Sequence, residues 1–229
     1  MTGQIPKPPH PLANHPLDWR DTTHGPVPVS LQFDDPFYSL QGGLEETRHV
    51  FLSGNDLPAR FRDGFHIAEL GFGTGLNFLT TLQAFRDAGI PGKLRFTSFE
   101  AYPLDPTALA RALTPFADAL PVNLLPAVAD QSGPDFDLTI VSGDATDTLP
   151  LWQGMADAWF LDGFSPARNP ALWTPSILAQ VAAHTVPGGT AATYSAAGHV
   201  RDSLARAGFT VARVPGFASK RHMTTARLD

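Results

Sequence analysis

Four acidic residues close four apolar runs in this chain. They are Glu69 after HIA, Glu100 after LRFTSF, Asp144 after LTIVSG and Asp162 after ADAWFL. A carboxylate at such a position can attract a cation, accept hydrogen bonds from paired hydroxyls, or take a proton from an amine. Taken singly, each acid is equally well explained as a helix cap or a turn residue. All four at one register predict a shared crevice, because ligands of an open α/β sheet collect outside the carboxyl ends of its strands.

The first acid is followed by three glycines at alternate positions, Gly71, Gly73 and Gly75, and then by helical spacing through Leu76, Phe78, Leu79, Leu82 and Phe85. Glycine is required where φ is positive or the backbone lies against a ligand. A dinucleotide site calls for G-x-G-x-x-G with a pyrophosphate on the helix N-terminus. Here the run is E-x-G-x-G-x-G, and a carboxylate beside the turn suits a cation better than a phosphate. S-adenosylmethionine (SAM) carries a sulfonium and an ammonium and no phosphate, and the run resembles the SAM-binding first motif of the Rossmann-like methyltransferases. In that reading Glu69 faces the cationic end, directly or through water. Glu100 takes the ribose hydroxyls, and Asp144 lies near the adenine amino group. A glycine turn without a ligand is the alternative.

Asp162 opens the segment Asp162-Gly163-Phe164-Ser165-Pro166, in which Gly163 and Pro166 turn the chain away from helix. Methyl transfer from a sulfonium is an in-line displacement that places a neutral amine lone pair about 3 Å from the methyl carbon. Asp162 can hydrogen-bond such an amine and accept its proton. A nearby carboxylate favours the ammonium, whereas burial favours the free amine, and the two effects oppose each other. Phe164 is either a wall beside the acceptor or ordinary packing.

The elements that must carry these residues alternate. Strands are expected at 65–70, 94–100, 137–144, 156–164 and 190–195. Helices are expected at 45–52, 76–88, 105–119, 170–183 and 196–207, and two last strands at 209–214 and 223–228. The pattern predicts an α/β fold with a mostly parallel sheet and helices on both faces. The resemblance of the glycine run implies a Rossmann-like class I SAM-dependent methyltransferase fold, which the antiparallel C-terminal edge hairpin fits. Residues 1–30, rich in Pro and His, read as an irregular N-terminal arm, with short extended pieces near Val27-Pro28-Val29, before a methyltransferase domain at 31–229. The arm's His10, His15 and His24 match no metal-ligand spacing and read as solvent-exposed loop residues, so no metal is expected.

Composition narrows the class. The chain has 229 residues, 43% hydrophobic and 17% charged, with no Cys, which excludes disulfides and thiol chemistry. The formal net charge of -6 argues against a surface that coats nucleic acid broadly, though not against a local basic patch. No apolar run is long enough to span a membrane and the first residues lack a signal peptide's apolar core, so a cytoplasmic protein is expected.

Several segments together resemble the methyltransferase-domain family of the bifunctional MnmC tRNA-modification proteins. They are FDD at 33–35, GLEETR at 43–48, the run from Glu69 to Phe78, Ser98-Phe99-Glu100, Gly143-Asp144, DAWFLDGFSPARNP at 157–170, Trp173, Pro187 to Thr190 and Gly216 to Arg221. The resemblance implies methylation by SAM of the exocyclic amine of 5-aminomethyl-(2-thio)uridine at the tRNA wobble position. Carried over residue by residue, it implies cofactor contacts from Glu69, Gly71, Gly73, Gly75, Asn77, Phe78, Glu100, Asp144 and Asp162. Asp162 is then also the catalytic group, and Phe164, Pro166, Arg168, Lys220 and Arg221 bind the acceptor, the tRNA anticodon stem-loop. Family members often carry Lys at or beside 167–168, where this chain has Ala167-Arg168; Arg keeps the charge but not the geometry. Bifunctional members continue into an FAD-dependent oxidase domain. This chain stops at Asp229, which leaves a stand-alone methyltransferase or an excised domain; the native-looking start favours the stand-alone form, with a separate oxidase as its expected partner. The competing readings are a SAM-dependent methyltransferase of a small amine or another macromolecule, and a non-catalytic SAM-fold scaffold.

Overall fold

The computed structural model describes residues 15–229. An eight-stranded sheet forms the centre. Its members are β4 (His66–Leu70), β5 (Leu94–Glu100), β6 (Gln131–Ser132), β7 (Phe136–Ser142), β8 (Ala156–Leu161), β9 (Thr185–Thr193), β10 (Phe209–Pro215) and β11 (His222–Leu228). The order is β10-β11-β9-β8-β4-β5-β7-β6. The five inner strands from β9 to β7 run parallel, while β10, β11 and β6 add antiparallel pairings at the two edges. The chain lays down β4, β5 and β7 outward in one direction and then returns to place β8 on the other side of β4. The switch point of the sheet therefore lies between β4 and β8.

Alternate strand residues feed opposite faces. Ile67, Phe96, Ala158 and Phe160 join the core beneath α2 (Leu76–Asp87) and α3 (Pro106–Leu113). Ala68, Leu70, Phe99, Trp159 and Leu161 join the other core, under α4 (Ala145–Thr148), α5 (Pro175–Ala183) and α6 (Gly198–Arg206). Helix starts follow local chemistry. Asp105 accepts from the amides of Thr107 and Ala108 with Pro106 in the first turn, and Thr174 caps α5 ahead of Pro175.

Several expected boundaries shift for local reasons. The helix expected at 105–119 ends at Leu113 and passes into a 3₁₀ turn, because Pro115 cannot donate to a continuing ladder. The helix expected at 170–183 begins at Pro175. Residues Pro170–Trp173 form a separate 3₁₀ turn, and Thr174 is extended ahead of proline. At 45–52, α1 (Gly43–Thr47) continues as a π turn over Arg48–Leu52. The strand expected at 190–195 starts at Thr185 and runs through Gly188-Gly189, with a register shift opposite Ala156 and Ala158. The short edge strand β6 has no counterpart in the sequence reading.

The irregular arm expected at 1–30 is corrected over its described part. Residues Leu17–Thr22 (β1) and Gly25–Ser30 (β2) form an antiparallel hairpin, extended by Asp35–Pro36 (β3). Gly25, at φ 105°, lets the chain reverse, and the Thr22 hydroxyl donates to its carbonyl at 2.8 Å. Val27, Pro28, Val29 and Ser30 are all buried, so the strand packs on both sides and no alternation marks it in the sequence. His24 is exposed as expected, His15 is buried, and His10 lies outside the described residues.

Candidate active site

A crevice of about 440 Å³ opens at the carboxyl ends of β4, β5 and β8, over the switch point. That volume falls within the range of about 300–1,000 Å³ usual for small-molecule sites. Gly71 and Asp162 meet there. A Cβ on Gly71 would stand 2.3 Å from the Asp162 carbonyl oxygen, so the close approach of the two strand ends depends on glycine.

The Asn77 amide, in the first turn of α2, organises the floor. Its Nδ2 donates to Glu69 Oε1 at 2.8 Å and to Asp162 Oδ2 at 2.5 Å. Its Oδ1 accepts from the Thr47 hydroxyl at 2.8 Å, and Ser98 Oγ donates to Glu69 Oε2 at 2.7 Å. Burial, and then the neighbouring Asp162 carboxylate, push the Glu69 carboxyl well above the usual range. Asp162 is half-buried, open to the crevice but enclosed by protein elsewhere, and this desolvation raises its pKa to about 7. A carboxylate that titrates near neutrality and faces a cavity is poised to exchange a proton.

Glu100 is buried at the end of β5, and burial raises its pKa. Its Oε2 accepts from Gly73 N at 2.8 Å and its Oε1 from Tyr102 N at 2.6 Å. The amides of Phe72 and Ala101 also act on this carboxylate, and its edge on the crevice is where arriving hydroxyls would meet it. Gly71 (φ 86°) and Gly73 (φ 55°) line the same wall. Glycine backbone, a carboxylate lining the wall and further acid at the opposite end fit a cationic nucleoside such as SAM. Gly73→Val puts a β-branched side chain into this wall at positive φ, against Phe37. It is expected to weaken SAM binding by at least about tenfold, equivalent to 1.4 kcal/mol; unaltered affinity by calorimetry would remove Gly73 from the cofactor wall.

Of the residues singled out in the sequence, Gly71, Gly73, Asn77, Glu100, Asp162, Phe164 and Lys220 share this crevice. The others stand elsewhere. Glu69 does not face the cavity: it has the parity of Ile67, so its side chain lies beneath α2, fully buried on Asn77 and Ser98. Phe78 is a core residue, edge-on to Phe96 and Phe136 at 5.4 Å each. Gly75 (φ 71°) opens α2, and a Cβ there would meet Leu125 and Phe72. Asp144 is exposed and caps α4, accepting from Thr146 N and Oγ1 at 2.8 Å each, while its neighbours Gly143 and Ala145 line the crevice. Pro166 stays off the lining. Arg168 pairs with Asp34 at 2.9 Å, both largely exposed, and Arg221 is exposed.

Several residues at or behind the crevice were given no site role in the sequence reading, His15 among them. His15 Nε2 lies 2.7 Å from Ser30 Oγ, and its ring packs on Phe33, Phe37, Tyr102 and Phe164. Burial lowers its pKa, which favours a neutral aromatic filler over a charged group. Phe164 also stacks on Phe33 at 4.7 Å, so it is both crevice wall and packed side chain. Asp35 Oδ2 accepts from Ser165 N at 2.7 Å, and Tyr194 Oη donates to Gly163 O at 2.7 Å, which fixes the loop after β8. Glu46 Oε1 receives Lys220 Nζ at 2.7 Å. The GLEETR segment carried the signal for Glu46, without a role. Among the described residues no group of three or more His, Asp or Glu side chains is placed to hold a metal ion, and no helix is long and apolar enough to cross a membrane.

Residues 117–229 match a family described as S-adenosyl-L-methionine-dependent methyltransferase. With the sheet order and the crevice at the switch point, this places the chain in the Rossmann-like class I, SAM-dependent methyltransferases. More narrowly, it is a homologue of the tRNA 5-methylaminomethyl-2-thiouridine biosynthesis bifunctional proteins MnmC. It is 44% identical to that of Caulobacter vibrioides over 230 residues, covering 94% of this chain and 38% of the relative. It is 41% identical to that of Pseudomonas paraeruginosa, covering 90% of this chain and 34% of the relative. The chain thus spans little more than a third of the curated relatives it matches. The crystal structure of MNMC2 from Aquifex aeolicus superposes with a TM-score of 0.78 at 26% identity, covering 95% of this chain and 72% of that one.

Proposed function

We propose that the chain transfers the methyl group of SAM to the exocyclic amine of 5-aminomethyl-(2-thio)uridine at the wobble position of tRNA, in the cytoplasm. The observation that carries the reading is Asp162. Its carboxyl is held by Asn77 at the mouth of β8 and faces the crevice beside the glycine turn. SAM supplies a methyl on a sulfonium. The acceptor arrives as a primary ammonium, and Asp162 takes one proton from it. The freed lone pair forms the N–C bond as the C–S bond breaks, with the pair retained by sulfur. The product is a secondary ammonium and a neutral thioether. The MnmC names of the relatives support the tRNA acceptor, and a separate FAD-dependent oxidase acting before this step is a partner that rests on the sequence resemblance alone.

The test is mass spectrometry of nucleosides from tRNA bearing 5-aminomethyl-2-thiouridine after incubation with the protein and SAM. One added methyl on that nucleoside is expected. SAM binding without any transfer points to a scaffold, and transfer to small amines but not to tRNA points to the small-amine reading.

With a net charge of -6 the tRNA is held through few phosphates. Arg168 and Arg221 are the exposed candidates, since the exposed Arg168–Asp34 pair is weak and readily exchanged. Replacing both with Glu is expected to raise KM for tRNA several-fold with SAM affinity intact. The salt dependence of wild-type binding should be shallow, about 0.9 log units per log salt for each duplex phosphate neutralised. An unchanged KM in the double variant means that the RNA docks elsewhere.

A further inference from the structure

The crevice already holds one primary alkylammonium, and it belongs to the protein. Lys220 Nζ donates to Glu46 Oε1 at 2.7 Å and lies 4.2 Å from the centre of the Tyr194 ring. A cation over an aromatic face within about 6 Å is attracted by the ring quadrupole. The Glu46 side chain is only 11% exposed, whereas that of Lys220 is 42% exposed, so the carboxylate is built in and the ammonium is inserted from the mouth. Glu46, Tyr194, Lys220 and Asp162 line the same cavity, and Asp162 lies close enough for its charge to be felt by Tyr194.

We propose that Glu46 and the Tyr194 ring, next to Asp162, form a binding subsite for a primary alkylammonium group. Lys220 occupies that subsite in the free protein as an internal surrogate for the acceptor amine. The charge count supports a second occupant of the same kind. Asp35, Glu46, Glu100 and Asp162 line the cavity, and Lys220 is its only lining cation among the described residues. Glu46 accepts hydrogen bonds from the ammonium and selects it over a neutral group. Asp162, a separate carboxyl, then receives the proton. Two carboxylates divide binding from proton transfer, which resolves the opposition between holding an ammonium and releasing an amine.

The exchange is local. Lys220 sits in the turn between β10 and β11, whose Ser219 reaches Gln41 only through long contacts of 3.2 and 3.4 Å. Rotation of one flexible side chain vacates the subsite without moving the sheet. The released ammonium then stands at the crevice mouth, where an acceptor carrying phosphates would meet it.

The subsite rests on the aminomethyl reading only for its natural ligand, so the probe is free of RNA and of methyl transfer. n-Propylammonium and 1-propanol are titrated calorimetrically into wild type, Lys220→Ala, Glu46→Gln and the Glu46→Gln/Lys220→Ala double variant, with thermal melts confirming folding. Propylammonium is expected to bind Lys220→Ala about tenfold tighter than wild type, a gain of 1.4 kcal/mol. The double variant should lose that gain, and propanol should show none of it. Tyr194→Leu in the Lys220→Ala background, a change that leaves Glu46 untouched, should also weaken propylammonium. Lys220→Ala binding propylammonium no better than wild type, or gaining equally for propanol, overturns the subsite even if tRNA is methylated. Failure of tRNA methylation with the ammonium results intact overturns only the tRNA acceptor.

Discussion

Asp162→Asn is expected to lower turnover by about 10²–10⁴-fold, the range typical for loss of a general base, while SAM affinity changes little. The amide oxygen of the new side chain can still accept from Asn77 Nδ2, so the loop keeps its anchor; what disappears is the capacity to accept a proton. In the wild type, burial raises the Asp162 pKa to about 7, and only the deprotonated form acts as base. The single-turnover rate should therefore rise with pH and level off above about 7, an inflection missing from the residual rate of the variant. Near-wild-type turnover in Asp162→Asn would mean that the residue merely orders the loop. Stability should move oppositely. The folded state retains a proton that the unfolded chain releases above the ordinary value of 3.8, so this group costs stability progressively as pH rises from there to about 7. The Asn variant escapes that cost, and its melting temperature at alkaline pH should match or exceed that of the wild type.

Gly71→Ala is the second large effect, and it acts on the scaffold as well as the site. The residue has φ 86°, and an added Cβ would sit 2.3 Å from the carbonyl oxygen of Asp162, a backbone atom that no rotamer change can move aside. Left-handed backbone costs a non-glycine residue about 1–2 kcal/mol, and overpacking typically adds about 1–3 kcal/mol. A loss of about 2–5 kcal/mol in urea unfolding, read as a lower midpoint at constant slope, is expected. Turnover should fall with it, because the strand end that must yield carries Asp162. Gly89→Ala is the control: φ is 65°, but nothing lies within 4 Å of the added Cβ, so only the conformational cost remains. Equal destabilisation by the two substitutions would show that the contact between β4 and β8 is not close-packed.

Much of the molecule is written locally. The strand-glycine-helix run from His66 onward is legible because positive φ favours glycine and because buried strands and amphipathic helices have different hydrophobic periods. For the same reason the last hairpin and the helix before Gly208 were foreseen. The acids at strand ends were legible as a set, since parallel strands must bring their carboxyl ends to one edge of the sheet.

What each acid does was decided by the tertiary structure. Glu69 and Asp162 look alike in the sequence, yet strand parity turns Glu69 beneath α2, while Asp162 stands past the end of β8 and meets the cavity. Asp144 was drawn to the nearest unsatisfied amides and caps a helix. The Asn77 amide joins partners 8 and 85 residues away, Lys220 finds Glu46 across 174 residues, and His15 leaves a proline-rich segment to pack on Phe164. A sequence carries backbone preference over a few neighbours. The pairing of side chains across such separations is set only when the core fixes which faces meet, and the choice between cap, core and site is made there.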